Sequence, residues 1–431
     1  MEALSILIRA LTEFIISSWA AARYRQPVGL RIVTRPSPVP PPTTVVWDPA
    51  LLGYRFTATH PMDPVRLELT ERLARDLGVF DAPNLTEVSP EIAEDTALAA
   101  VHTEEYICAV HAASESGTAS LEHGLGTEDT PVFEGIHTGA ARIAGGTLHL
   151  AQSLVAGTAV RGVNFAGGMH HAGIAKAGGF CVYNDAALAI QHLLDTGTRK
   201  VVYIDVDAHH GDGTQEIFYS DPRVMTISVH QSGTTLYPGT GFPNEIGAGP
   251  ADGTAVNISL PPGTGDAGFL RAFHAIIPQV VRTFEPEVIV SQHGCDSHAD
   301  DPLSDLQLSI EGQRQLALDI GHLAEELTEN RWIATGGGGY SIHQVVPRAW
   351  AHLTAVAAGS PIPLNTAVPG SWREYVRNTY EVNAPEQMHD DAELWWRTWE
   401  LGYDPEDAVD RAVIQTRKEI FPLHGLDPWF D

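Results

Sequence analysis

Cysteine, lysine and long apolar runs are scarce in this 431-residue sequence, and each shortage excludes something. The three cysteines, Cys108, Cys181 and Cys295, form no C-x-x-C pair, so neither a disulfide framework nor a cysteine zinc site is indicated. Such a chain suits a reducing cytoplasm. Basic residues number 26 against 54 acidic ones, a formal net charge of -28, which argues against nucleic acid or an anionic membrane surface as partner. A cationic partner fits that charge, although its ordinary effect is solubility. The apolar opening from Leu4 to Trp19 is interrupted by Arg9 and Glu13 and follows no basic cluster. No uninterrupted stretch is long enough to span a bilayer, so neither signal peptide nor anchor is expected.

Proline is concentrated in one place, Pro36-Ser37-Pro38-Val39-Pro40-Pro41-Pro42, a stiff extended spacer. It sets off residues 1–44 as an N-terminal extension, in which Leu4, Leu7, Ile8, Leu11, Phe14 and Ile15 have the spacing of an amphipathic helix. From Val45 to about residue 365 short apolar runs alternate with amphipathic stretches, the pattern of a parallel sheet wrapped by helices in a single α/β domain. Strands are expected at Val201–Val206, Val224–Val229, Val288–Gln292 and Trp332–Thr335. Helices are expected at Pro64–Leu77, His137–Leu154, Gly268–Phe284 and Ile310–Glu329. Residues 366–431 are acidic and hold Trp372, Trp395, Trp396, Trp399 and Trp429, aromatic surface expected to pack on the main body.

Each expected strand runs straight into polar or glycine-rich residues. In open α/β folds ligands bind outside the carboxyl ends of parallel strands, so these loops should converge on one site. The densest of them is Asp205-Val206-Asp207-Ala208-His209-His210-Gly211-Asp212-Gly213. Continued strand geometry would point Asp205, Asp207 and His209 to one face. Carboxylates that close repel unless a cation lies between them or one is protonated. Asp207 and His209, with Asp296 from the next such loop, make a ligand set suited to zinc or a similar divalent ion. The alternative is a strand end whose polar residues merely cap the following helix. The tandem His170-His171 suits proton shuttling, and Asp205 and Asp212 are the carboxylates left over to orient the two rings. Tyr340 closes the run Gly336-Gly337-Gly338-Gly339, from where its hydroxyl could donate to an oxyanion. Otherwise that run is a tight turn or a phosphate cradle, but no G-K-[ST] follows it.

These blocks together resemble the zinc-dependent histone deacetylase family, and within it the class I-like bacterial acetoin-utilisation deacetylases. The resemblance runs from about Val45 to the C-terminus. It rests on His60-Pro61-Met62 with Pro64 and Arg66, Gly167-Gly168-Met169-His170-His171-Ala172, Gly179-Phe180-Cys181 with Asn184-Asp185, Asp205 to Gly213, Tyr237-Pro238-Gly239-Thr240-Gly241, Asp296 to Pro302, and Gly336 to Tyr340. It implies an arginase-deacetylase α/β fold around an eight-stranded parallel sheet, and hydrolysis of an acetyl-lysine amide to acetate and free amine. It further implies Asp207, His209 and Asp296 as zinc ligands, with ferrous iron as the other candidate metal. His171 becomes the general base paired with Asp212, His170 pairs with Asp205, and Tyr340 polarises the carbonyl. Gly179, Phe180 and Tyr237 would line the substrate tunnel, Asp129 would hold the substrate backbone at the rim, and Arg66 would line an acetate channel. A potassium ion is implied at Asp205, Ser228, Val229 and the carbonyls of Asp207 and His209. A second, more peripheral one would use carbonyls near Phe218, Asp221 and Val224.

The chain departs from the common pattern at Met169, where many members carry leucine, and at Tyr237, where phenylalanine is usual. Three lysines against 23 arginines suit a GC-rich bacterial genome, making an acetylated metabolic enzyme or other protein a better substrate than histone tails. Deacetylation of an acetylpolyamine or other small acyl-amine is the enzymatic alternative. The short segment from Glu115 to Thr130, with no insertion narrowing the mouth, favours peptide. A non-catalytic acyl-lysine reader would not need the histidines and Tyr340, and an arginase-like ureohydrolase would need a second catalytic metal.

Overall fold

The apolar runs become the central strands of one sheet in the computed structural model, which describes residues 39–431. The proposed helix around Leu4 to Ile15 lies outside the described residues. In chain order the strands are β1 (Thr43–Val46), β2 (Leu85–Val88), β3 (Arg161–Asn164), β4 (Val201–Asp205), β5 (Val224–Gln231), β6 (Ala255–Leu260), β7 (Val288–Gln292) and β8 (Trp332–Thr335). They form an eight-stranded sheet in the order β2-β1-β3-β8-β7-β4-β5-β6, and every pairing is parallel. Strands β3, β4, β5, β7 and β8 are buried throughout, as expected of a parallel sheet covered on both faces. The expected boundary between residues 44 and 45 falls inside β1. The sheet begins earlier than polarity suggested because Thr43 and Thr44 are buried threonines, β-branched residues at home in a strand.

The covering helices are α1 (Val65–Asp76), α2 (Asp95–Leu98), α3 (Glu104–Ser116), α4 (Ile136–Ala156), α5 (Asp185–Asp195), α6 (Asp212–Phe218), α7 (Asp266–Phe284), α8 (Ile310–Leu327), α9 (Val346–Ala357), α10 (Gly370–Tyr380) and α11 (Ala408–Ile420). The longest amphipathic patterns gave helices within two residues of their expected ends. Side-chain caps fix several starts: Asn184 accepts from Ala187 N–H at α5, Ser309 from Gly312 N–H at α8, and Thr103 from Tyr106 N–H at α3.

The C-terminal residues lie in the same unit as the sheet, Pro40–Asp431. Trp372 is fully buried and donates its indole N–H to the Leu69 carbonyl at 3.0 Å, tying α10 to α1. Trp399 is buried beneath the guanidinium groups of Arg271 and Arg417, 5.0 and 4.7 Å from its ring. Trp395 and Trp429 remain exposed.

Candidate active site

Strand register sets the floor of the site. Asn164, Thr335, Gln292, Asp205 and Ser228 occupy one level across β3, β8, β7, β4 and β5, a polar row that ends the first four strands while β5 continues to Gln231. β4 ends at Asp205, so Asp207 and His209 belong to the loop beyond it and not to a continued strand face. Their convergence comes from the turn, in which Asp207 Oδ1 accepts His209 N–H at 2.9 Å and Asp205 Oδ1 accepts Asp207 N–H at 3.2 Å. Asp296 arrives from the loop after β7. Its Oδ1 accepts Ala208 N–H at 2.9 Å and its Oδ2 lies 2.9 Å from His209 Nδ1.

One ligand atom from each of Asp207, His209 and Asp296 lies within 4.8 Å of the other two, and all three residues are buried. Burial raises the Asp296 carboxyl, and the Asp207 charge raises it further. For His209, burial opposes protonation, but Asp296 and Asp207 outweigh it and raise the imidazole to about 10. This set therefore holds more negative charge than the interior tolerates unless a cation joins it. Two carboxylates and an imidazole at this spacing fit a divalent metal. The glycine run serves the same packing: a Cβ on Gly338 would collide with the Asp296 carboxylate, and one on Gly294 with that of Asp207. Gly338 N–H donates to Asp207 Oδ2 at 2.8 Å, so the run presses backbone against the carboxylates and is not a phosphate cradle.

His170 and His171 face each other with their Nε2 atoms 3.1 Å apart. His170 Nδ1 lies 2.8 Å from Asp205 Oδ2, and His171 Nδ1 lies 2.6 Å from Asp212 Oδ1. A carboxylate only accepts, so both Nδ1 atoms carry protons and Nε2 is the working nitrogen of each ring. The two rings are driven apart electrostatically. Burial opposes charge on His170, but Asp205 and Asp207 overcome it and raise it to about 9. For His171 burial dominates, His170 adds repulsion, and Asp212 compensates only partly, leaving it at about 4. At neutral pH His171 is thus the neutral ring, able to take a proton.

Tyr340 stands at the end of the glycine run, held by its backbone N–H on Asp301 Oδ2 at 2.7 Å. Burial raises its phenol well above the ordinary value, as do Asp296 and Asp207, so it stays a hydrogen-bond donor. Phe180 meets Tyr340 edge to face at 5.7 Å, and Tyr237 meets His171 edge to face at 5.0 Å. Gly179, beside Phe180, lies so close to the His171 ring that a Cβ there would collide with it. Asp129 is exposed, and its carbonyl lies 3.2 Å from His60 Nε2. Arg66 is buried, donates to the Gly337 and Gly339 carbonyls at 2.9 and 3.1 Å, and sits 5.0 Å over Trp350. Ser228 pairs with Asp205 in register, but its hydroxyl contacts His230 Nδ1 at 2.8 Å; Val229 is buried beside it.

Three further residues build the site without having been assigned a part from sequence. Gln292 donates to Asp207 Oδ2 at 2.7 Å and accepts Gly294 N–H at 2.6 Å, bridging two strand ends. Asp301 positions Tyr340. Asp185 accepts Gly168 N–H and Met169 N–H at 3.0 and 2.8 Å and so sets the backbone before the histidine pair. The available signal was a polar Ser291-Gln292 pair closing an apolar strand for Gln292, and a carboxylate inside a family-like block for the other two. His210 joins Thr240 and Gln215 at 2.9 and 3.1 Å and steadies the loop after Tyr237.

Comparison with known proteins agrees with this architecture. The histone deacetylase domain family matches residues 60–357. The acetoin utilization protein AcuC of Bacillus subtilis (strain 168) is 40% identical over 380 residues, covering 87% of this chain and 97% of its own length. AcuC of Staphylococcus xylosus is 38% identical over 354 residues, covering 81% and 91%. Among solved structures, a histone deacetylase homolog from Aquifex aeolicus superposes with a TM-score of 0.75 at 29% identity, covering 87% of this chain and 99% of that one. The fold is thus the arginase-deacetylase fold, and the expected family and eight-stranded parallel sheet both hold. With the domain match spanning most of the sheet and the relatives matching nearly end to end, this chain belongs to the histone deacetylase family, on its bacterial acetoin-utilisation branch.

Proposed function

We propose that this protein is a zinc-dependent amidohydrolase that removes acetyl groups from acetyl-lysine side chains of proteins. The observation that carries the reading is the convergence of a buried Asp-His-Asp set, two His-Asp dyads and a tyrosine on one group of strand ends. A divalent metal held by Asp207, His209 and Asp296 would supply Lewis-acid polarisation of the acetyl carbonyl and a more acidic water.

The remaining chemistry belongs to the protein's own groups. His171, neutral and anchored by Asp212, takes the proton from the attacking water at Nε2 and returns it to the departing amine. His170, held cationic by Asp205, adds positive charge beside that position. The Tyr340 hydroxyl donates to the oxygen on which negative charge develops. Phe180 and Tyr237 provide the flat apolar walls that an aliphatic lysine stem requires, and Asp129 offers a carboxylate to a substrate backbone amide at the surface. Arg66, below the glycine run, suits the departure of acetate. A potassium ion near Asp205, Ser228 and Val229 would add positive charge behind the dyad of His170.

The test is acetate release from an acetyl-lysine peptide by protein loaded with a defined metal, beside longer acyl chains and an acetylpolyamine. His171→Ala and Tyr340→Phe should each lower kcat by about 10²-fold or more. Parent-level turnover in either variant would refute the mechanism, and preference for the acetylpolyamine would replace the proposed substrate class.

A further inference from the structure

Away from the strand ends, Asp95, His111 and His137 come together from three separate elements: Asp95 opens α2, His111 lies on α3 and His137 is the second residue of α4. His111 Nε2 is 3.0 Å from Asp95 Oδ1, His137 Nε2 is 4.0 Å from the same oxygen, and one ligand atom from each residue lies within 4.8 Å of the others. Ligands of a tetrahedral ion with bonds of about 2.1 Å are separated by about 3.4 Å, a value these distances bracket.

The imidazoles are arranged as ligands more than as a simple ion pair. Their rings stack at 3.7 Å between centroids and 28° between planes, which sets two Nε2 atoms side by side against the carboxylate. His137 Nδ1 is held at 3.0 Å by the hydroxyl of Tyr183, a buried residue, leaving Nε2 as the nitrogen turned to Asp95. A hydrogen bond on the distal nitrogen is the usual means of fixing a ligating histidine. Asp95 and His111 are open to solvent, giving an ion a direct path in.

We propose that Asp95, His111 and His137 form a second, peripheral binding site for a divalent transition ion such as zinc, with water completing its coordination. Two imidazoles and one carboxylate favour such an ion over magnesium or calcium, which take oxygen ligands. The ion would join α2, α3 and α4. It would also bear, through Tyr183, on the segment that carries Phe180, which lies three residues earlier in the chain.

The test is zinc titration of the full chain by calorimetry and by equilibrium dialysis. The Asp207→Ala variant, which lacks a strand-end ligand, should bind one equivalent, and adding His111→Ala should abolish it. In the parent, His111→Ala should remove one of two equivalents and leave the other. Because His111 lies at the surface, its replacement should leave folding intact. Absence of zinc binding by Asp207→Ala together with a single equivalent in the parent would overturn the proposal, as would equal binding with and without His111. Failure of the strand-end metal reading has a different signature: Asp207→Ala would then bind as many equivalents as the parent.

Discussion

Two regions of this protein bury charge at similar depth, and they neutralise it differently. Around Asp410 on α11 the counter-charges are guanidinium groups. Arg271 pairs with it through Nε and again through Nη2 at 2.8 Å, while Arg397 reaches it at 2.6 Å. Around Asp205, Asp207 and Asp296 the partners are histidines, glutamine and backbone N–H groups. Arginine keeps its charge at any relevant pH, so the first cluster is complete in itself and works as a structural clasp between α7 and the C-terminal segment. Histidine exchanges protons and two crowded carboxylates call for a cation, so the second cluster is left electrostatically open. A buried carboxylate beside arginine therefore marks a joint here, and one beside histidine marks chemistry.

Substitution at the open cluster should cost activity more than stability. Asp296→Asn preserves an acceptor for Ala208 N–H while removing one of two crowded charges. It should lower kcat/KM by about 10³-fold or more while leaving the unfolding temperature of chelator-treated protein unchanged or raised. Equal losses of activity and stability would erase the distinction between the clusters.

Asp410→Asn is the reciprocal experiment. It leaves Arg271 and Arg397 without their buried partner and should cost about 3–5 kcal/mol in denaturant unfolding, with kcat/KM of the folded protein unaltered. Burial alone would raise the Asp410 carboxyl, but Arg271, the Asp404 N–H and Arg397 hold it below its ordinary value. A carboxylate with a depressed folded pKa stabilises fully above its unfolded value and loses that contribution as pH falls through the folded one. The stability gap between parent and Asp410→Asn should therefore be complete at pH 7 and close below about pH 4. A gap constant with pH would show that packing, and not charge, holds the clasp.

A smaller effect is expected one step out from the chemistry. Asp212→Asn keeps the shape of the dyad but no longer stabilises a charged His171, and should lower kcat by about 10–100-fold with little change in KM. The smallest belongs to the exposed pair Arg282–Glu326, separated by 2.8 Å on α7 and α8. Arg282→Ala should cost about 0.5 kcal/mol or less and vanish in high salt, since water already solvates both charges.

Much of the fold was legible because it rests on short-range regularities. Apolar runs bounded by glycine and polar residues located β4, β5, β7 and β8, and apolar spacing near 3.6 located α1, α4, α7 and α8. The strands that escaped notice, β1, β2, β3 and β6, carry threonine, arginine, glutamate or asparagine; β1, β3 and β6 owe their burial to their neighbours, and the edge strand β2 stays partly exposed. Within the site, Asp207, His209, Asp296, the histidine pair and Tyr340 drew attention as unusual residue types beside strand ends. Gln292, Asp301 and Asp185 did not, because a single glutamine or aspartate has no distinctive spacing when its partners lie on distant segments of the chain.

The sequence by itself determined the longer helices, four of the strands, the excess of negative charge and the set of residue types available for catalysis. Those properties follow from composition and local periodicity, which act within a few residues of chain. Only the tertiary structure decided which groups meet. Strand order and register align Asn164, Thr335, Gln292, Asp205 and Ser228 across five strands. Helix packing brings Asp95, His111 and His137 into one cluster. Adjacent histidines acquire opposite protonation because Asp205 and Asp207 outweigh burial at His170, whereas burial and the charge of His170 prevail at His171. Such distances and fields depend on the packing of the whole sheet and its helices, and no local stretch of chain specifies them.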